Sequence, residues 1–287
     1  MSKRLALLST AAALVLAACQ PANQTDAADA KKSESELAPA IAAASADLSR
    51  ETDAYKAWVS DEIDQLVTGT QAFADALKSG NLDEAKRLYP LVRMHYERSE
   101  PIAESFGDLD PRIDNREADL EAGEAWTGFH TIEKILWTQN TTQGTEALAD
   151  QLVNDVKELR AKIPTAEVTG DLMVQGSVDL LNEVSTSKIT GEEEIFSKTD
   201  LYDFKANIEG AEKIFEILKD KINAKDPTLV KALQERFAAV NELLAKHQVG
   251  DQHYKSYTDL TEEDTKALAE AVNKLGEPLA QMGIVLE

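Results

Sequence analysis

The sequence has 287 residues, enough for one large domain or two of ordinary size. Its 52 acidic residues outnumber 30 basic ones, for a formal net charge of -22. Such a surface repels nucleic acid and anionic lipid and attracts cations, and a basic nucleic-acid footprint is absent. The single cysteine, Cys19, excludes an internal disulfide.

At the N-terminus, Lys3 and Arg4 precede an apolar run, Leu5 to Ala18, too short to span a bilayer and followed by no stop-transfer pattern. It reads as a secretory signal over residues 1–18. The end of the run, Leu16-Ala17-Ala18-Cys19, looks like a bacterial lipobox, which makes Cys19 the expected site of lipid attachment. The competing reading is a soluble secreted protein in which Cys19 lies beside an ordinary cleavage site. Cleavage removes Lys3 and Arg4 and leaves the mature chain more acidic still. Gln20 after the cysteine favours onward sorting in a cell that has an outer membrane.

Residues 19–40 are rich in Ala, Asp, Lys, Ser and Asn and poor in large apolar residues, so they read as a flexible tether. From residue 41 to 287 helical periodicity dominates. A first helix runs from about Ile41 through Tyr55, Trp58, Ile63 and Leu66 to a stop at Ser79-Gly80. Asn81 caps the next, Leu82 to Phe106, with Asp83 and Glu84 in its first turn and kinks or breaks expected at Pro90 and Pro101. Gly107 to Pro111 breaks it and opens an acidic loop containing Asp110, Asp114 and Glu117.

A helix around His130 follows and closes at Asn140 to Gly144. Further helices span about Thr145 to Lys162, Gly170 to Ser187, Asp200 to Ala224, Pro227 to His247 and Thr261 to Gln281, with apolar residues three and four apart. Amphipathic helices joined by short loops predict an all-α protein of antiparallel bundles. The break near residues 164–169 makes two tandem bundles plausible.

The stretch Trp126 to Trp137 carries the chemistry. At about 100° per residue it places Trp126, Phe129, Ile132, Leu136 and Trp137 on one apolar arc, with Glu133 inside that arc and His130 at its edge. A lone buried carboxylate costs several kcal/mol, so Glu133 needs a partner: a metal ion or a protonated His130. At i and i+3 the two side chains can reach one ion together. A histidine–glutamate hydrogen bond serving structure alone is the competing reading.

Other acids could complete the site. On the Leu82 to Phe106 helix the apolar arc runs through Leu91, Val92, His95, Tyr96, Ile102, Ala103 and Phe106. Glu100 lies at its border, and Glu97 and Glu104 a little further round. Glu97 and Glu100 are candidate ligands; Glu104 reads as a solvated flank, with Arg93 as partner. Asp114 in the acidic loop and Glu193 in Glu192-Glu193-Glu194, just before Asp200-Leu201-Tyr202-Asp203-Phe204, are further candidates. Carboxylates from several helices with one histidine are what bundles use to hold iron, and this donor set suits iron, zinc or manganese rather than copper(I).

Gly128-Phe129-His130-Thr131-Ile132-Glu133 resembles the G-x-H-x-x-E motif of imelysin-like proteins. Tyr96 to Asp110 and Thr199 to Asn207 are similar to the EfeO/EfeM branch, the periplasmic component of a bacterial ferrous-iron uptake system. The resemblance covers nearly all of the chain after the tether. It implies two four-helix bundles with a metal-binding cleft between or beside them, and a family ligand set falling on His130, Glu133, Glu97, Glu100, Asp114 and Glu193. It also implies an iron permease and other uptake components as partners, and a lipid-anchored protein in the periplasm. Longer family members carry a cupredoxin domain before the helices. The tether leaves no room for one, so this chain resembles the short, EfeM-like form.

Two other functions compete. H-x-x-E can supply two zinc ligands of a metallopeptidase, with His95, His247 or His253 as a third. However, H-E-x-x-H is absent, and Lys134 stands where H-x-x-E-H needs its last histidine. No catalytic residue is therefore assigned, and the chain is expected not to be an enzyme. An alginate-binding member of the family makes acidic polysaccharide a third possibility, although so acidic a chain repels a polyanion unless metal ions or clustered basic residues bridge the two.

Overall fold

The computed structural model describes residues 48–287, which fall within one compact unit. The signal segment, Cys19, the tether and the first residues expected in the opening helix lie outside them. The fold is all-α: α1 (Ser49–Lys78), α2 (Leu82–Ala103), α3 (Leu109–Asp114), α4 (Phe129–Lys134), α5 (Glu146–Lys162), α6 (Gly170–Thr186), α7 (Asp200–Lys225), α8 (Pro227–Ala245) and α9 (Glu262–Leu286). A two-stranded hairpin, β1 (Gln248–Gly250) and β2 (His253–Tyr254), joins α8 to α9. Among the described residues, no helix is long and apolar enough to cross a membrane.

The ends of the helices follow from local chemistry. The Asn81 side chain accepts from the Glu84 amide at 3.2 Å, and Asp226, with Pro227 after it, accepts from Thr228 and Leu229. Thr261 and Asp264 form a reciprocal capping box at α9. Two boundaries differ from the periodicity. The acidic loop contains a short helix, α3. The helix around His130 begins only at Phe129, widens into a π-turn over Ile135–Gln139, and ends at Asn140 in the left-handed conformation.

Helices α1, α2 and α5 pack together, with the short α3 and α4 laid against α5. Helices α6, α7, α8 and α9 form a second group, and α2 joins the two by packing on α7 and α6. One apolar core runs through both, from Tyr55, Val59 and Ile63 of α1 to Leu268, Val272 and Leu275 of α9. Because α2 lies between α1 and α7, it is buried well beyond the arc that periodicity assigned. Arg93, Glu97 and Glu100 are all buried, whereas Leu91 and His95 on the expected arc are partly exposed.

Helix α2 continues through Pro90 and Pro101 without a break at either. Pro101 cannot donate to the carbonyl four residues back, that of Glu97. Asn207 Nδ2 on α7 donates to this oxygen instead, at 3.1 Å. The gap in the helix's own ladder is thus filled from the neighbouring helix, which ties α2 to α7 at the level of the acidic side chains.

Candidate metal centre

Gly128 sets the position of His130. It adopts φ of 87°, and a Cβ there would lie 2.2 Å from the Ile113 carbonyl oxygen. Only glycine allows the start of α4 to abut the end of α3 so closely. That contact brings His130 beside Asp114, the last residue of α3. The Trp126 indole fixes the intervening segment by donating to the Asn115 carbonyl at 2.7 Å.

His130 is 2 % exposed and Glu133 0 %. Imidazole Nδ1 lies 3.1 Å from Glu133 Oε2. The other oxygen of Glu133 accepts the backbone N–H groups of Phe196 and Ser197, at 3.0 and 2.7 Å. This clasps the loop before α7, which carries Glu193 and Glu194. Imidazole Nε2, buried, makes no hydrogen bond; it faces Asp114 Oδ1 at 3.7 Å and Glu193 Oε1 at 3.8 Å. The donor atoms of Asp114, His130 and Glu193 lie close enough to share one ion, as do those of His130, Glu133 and Glu194. The two groups use different nitrogens of the same ring, Nε2 and Nδ1.

Of the residues singled out from sequence, His130, Glu133, Asp114 and Glu193 therefore converge directly. Glu97 and Glu100 sit one shell away, in a third group with Glu183. Two buried cations connect these groups. Arg93 contacts Glu97 Oε1 at 2.5 Å and Glu194 Oε1 at 2.6 Å, is hydrogen-bonded to Asp114, and lies 3.4 Å from Asp203 Oδ1. Lys188 Nζ lies 3.2 Å from Glu97 Oε2 and 3.7 Å from Glu193 Oε1, and is hydrogen-bonded to Glu183. Asn207 Nδ2 approaches Glu97 Oε2 at 3.0 Å and Glu100 Oε2 at 3.2 Å.

The sequence reading of Arg93 as the solvated partner of Glu104 is corrected here: Arg93 is 0 % exposed and serves the centre, while Glu104 is exposed. Spacing carried a signal for this, since Arg93 lies four residues after Tyr89 and three before Tyr96, both core residues. Lys188, Glu194, Asp203 and Asn207 were also passed over. Glu194 hid in a run of three acids, and Lys188 stands in a short turn where no periodicity speaks.

The charges do not balance. Glu97, Glu100, Asp114, Glu133, Glu193, Glu194 and Asp203 are all buried or nearly so, against two fully buried cations, Arg93 and Lys188. In water-poor surroundings such an excess is relieved by protons or by a bound cation. Burial pushes the Asp114 carboxyl up to about 7 and that of Glu194 up to about 8, and it carries Asp203 and Glu100 well above the ordinary carboxylate range. Glu193 goes the other way: against the burial that opposes it, Lys188, then His130, and after them Arg93 and Arg116 hold its carboxyl down at about 2. One ionised oxygen pair thus sits beside carboxyls that keep their protons into the neutral range.

A cleft of ≈ 220 Å³ leads from the surface to this centre, lined by Glu100, Glu104, Asp110, Asp114, Arg116, Asp119, Glu183 and Glu193 among others. The remaining histidines are engaged elsewhere. His95 Nδ1 lies 2.7 Å from Glu62 Oε2, His247 Nε2 lies 3.9 Å from Asp264 Oδ1, and His253 Nδ1 lies 3.3 Å from the Tyr202 hydroxyl.

Comparison with known proteins agrees with this architecture. The model of the imelysin family matches residues 51–282. An "Efem/EfeO family lipoprotein" of Staphylococcus haemolyticus (strain JCSC1435) is 50% identical over 289 residues, covering 99% of this chain and 100% of its own length. Lipoproteins of the same description from Staphylococcus aureus strains MSSA476 and NCTC 8325 / PS 47 are each 46% identical over 246 residues, covering 84% of this chain and 87% of theirs. With the family model matching most of the chain and a relative of 50% identity covered over its whole length, the chain belongs to the imelysin family, among its EfeM/EfeO lipoproteins.

Proposed function

We propose that this protein is the membrane-held cation-binding component of an iron-uptake system, tethered through lipid on Cys19 outside the cytoplasm and passing its cargo to a membrane permease. The observation that carries this reading is the buried, unpartnered Nε2 of His130 facing Asp114 and Glu193. An imidazole lone pair with carboxylate oxygens is a donor set for ferrous iron, zinc or manganese. Glu133 would then orient the ring through Nδ1 rather than bind the ion, as carboxylates commonly do behind metal-bound histidines. Glu97 and Glu100 would act from behind Arg93 and Lys188, setting the charge of the pocket.

A peptidase with a zinc set of two histidines and one glutamate would need a second histidine and an open water position at the same ion. The positions of His95, His247 and His253 favour binding over hydrolysis. Alginate is disfavoured by the acidic lining of the cleft. Isothermal titration of the protein with ferrous iron under anaerobic conditions, zinc, manganese and oligoalginate tests the reading, with casein hydrolysis as the enzymatic control. Stoichiometric cation binding that is lost in His130→Ala is expected. Casein cleavage abolished by the same substitution, or tight binding of oligoalginate without a metal, would overturn it.

A further inference from the structure

On the reading that the centre takes up a cation, the route to it is the acidic cleft. His130 and Glu133 are sealed from solvent, and among the residues facing His130 Nε2 it is Asp114 and Glu193 that line the cleft. Arg116 also lines it. Its Nη1 donates to Glu193 Oε2 at 3.2 Å, while its Nε and Nη2 donate to the two oxygens of Asp119 at 2.6 and 3.2 Å. The side chain of Glu193 is 7 % exposed and that of Asp119 44 %. One guanidinium therefore forks between a carboxylate of the centre and a carboxylate in solvent.

The two oxygens of Glu193 have different duties. Oε1 points inward, toward His130 Nε2 and Lys188 Nζ, and Oε2 is the oxygen that Arg116 holds. Arg93 and Lys188 cannot yield their carboxylates easily, since both are fully buried and each is held by several acids. Arg116 can, because its other anchor is a surface acid three residues along the same turn.

We propose that Arg116 is the gating residue of the centre: it competes with the cation for Glu193 and sets how readily the cation is released, while Asp119 holds the guanidinium when Glu193 turns to the ion. Arg116 acts through Glu193 and does not itself bind the cargo. The arrangement suits a carrier, which must give up its ion as well as seize it. A like charge across the access route lowers affinity and speeds release.

The test uses manganese(II) and zinc alone, with affinity measured by competition against a chromophoric chelator and release followed by stopped-flow chelation. Arg116→Gln should bind at least fivefold more tightly, with slower release. Arg116→Met serves the same purpose if the glutamine variant folds poorly, as judged by circular dichroism. Asp119→Asn frees the guanidinium for Glu193 and should weaken binding severalfold, and this loss should vanish when Arg116 is also replaced. Unchanged or weaker binding in both Arg116 variants would overturn the proposal, as would an Asp119→Asn loss that persists without Arg116. Absence of cation binding by the wild-type protein would instead remove the proposed function on which the inference rests.

Discussion

Asn207 donates its side-chain amide to the main-chain oxygen of Glu97, the acceptor left open in α2 by Pro101. The same amide faces the carboxylates of Glu97 and Glu100, so one side chain both completes a helix and holds two acids of the centre in place. Replacement of Asn207 by leucine, close in size, should leave the Glu97 carbonyl buried without a donor. An orphaned buried acceptor costs about 1–3 kcal/mol. Urea denaturation of Asn207→Leu should show a loss of that order. A stability equal to wild type would mean that the carbonyl finds water instead.

The raised carboxyls predict how stability and binding change with pH. A carboxyl whose value in the folded protein lies above its unfolded value stabilises the fold while it keeps its proton, and that contribution is lost as pH rises through the folded value. Asp114, at about 7, and Glu194, at about 8, are such groups. Glu193, at about 2, acts oppositely, but its effect is spent below the ordinary carboxylate range. Without metal, the melting temperature should therefore fall between pH 5 and pH 8.5. A cation must displace these protons, so its affinity should rise over the same interval. Thermal melts with and without manganese(II) at each pH should diverge as pH rises. A constant increment would show that proton release is not linked to binding.

Much of this fold was legible in the sequence because its long helices are amphipathic in the ordinary way. Tyr55, Ile63 and Leu66 of the expected repeat are buried, and Asn81 caps a first turn that carries Asp83 and Glu84. The chemistry was legible in part for the same reason: Glu133 stood out as a charge on an apolar arc. What periodicity could not convey was depth. Helix α2 is covered on two sides, by α1 and α7, so an arginine outside the expected apolar arc became fully buried. Nor does a local pattern tell which of three adjacent glutamates turns inward. Both Glu193 and Glu194 do, because Glu133 clasps the backbone at Phe196 and Ser197 and a hydrogen bond from the Glu194 amide to Asp200 fixes the loop.

Gly128 offers a test of how the centre is assembled. Its backbone, at φ 87° and ψ -164°, lies in a region essentially reserved for glycine, and the Ile113 carbonyl occupies the space a Cβ would take. Strain of this kind costs about 1–3 kcal/mol before the clash is relieved. Relief requires α4 to move from α3, which separates His130 from Asp114. Gly128→Ala should thus lose both stability and cation affinity. Gly123 provides the control: its φ is 92°, but nothing lies within 4 Å of its Cβ position. Gly123→Ala should carry the strain alone, with affinity retained. Equal affinities in the two variants would show that the α3–α4 contact does not set the site.

The different roles assigned to His130 and Glu133 predict unequal losses. With Nε2 unpartnered and facing Asp114 and Glu193, His130→Ala removes a donor atom, and no neighbouring group replaces it. With Glu133 fixed by two backbone N–H groups and turned to Nδ1, Glu133→Gln keeps the shape and the acceptor for those amides while losing the charge behind the ring. Loss of such an outer partner typically costs about 10–100-fold in metal affinity. His130→Ala should lose more than that, and Glu133→Gln should stay within it, both with helical circular dichroism unchanged. If Glu133→Gln proved as damaging as His130→Ala, the carboxylate would have to touch the ion itself. The centre would then use the Nδ1 face of the ring, with Glu194 as its third donor.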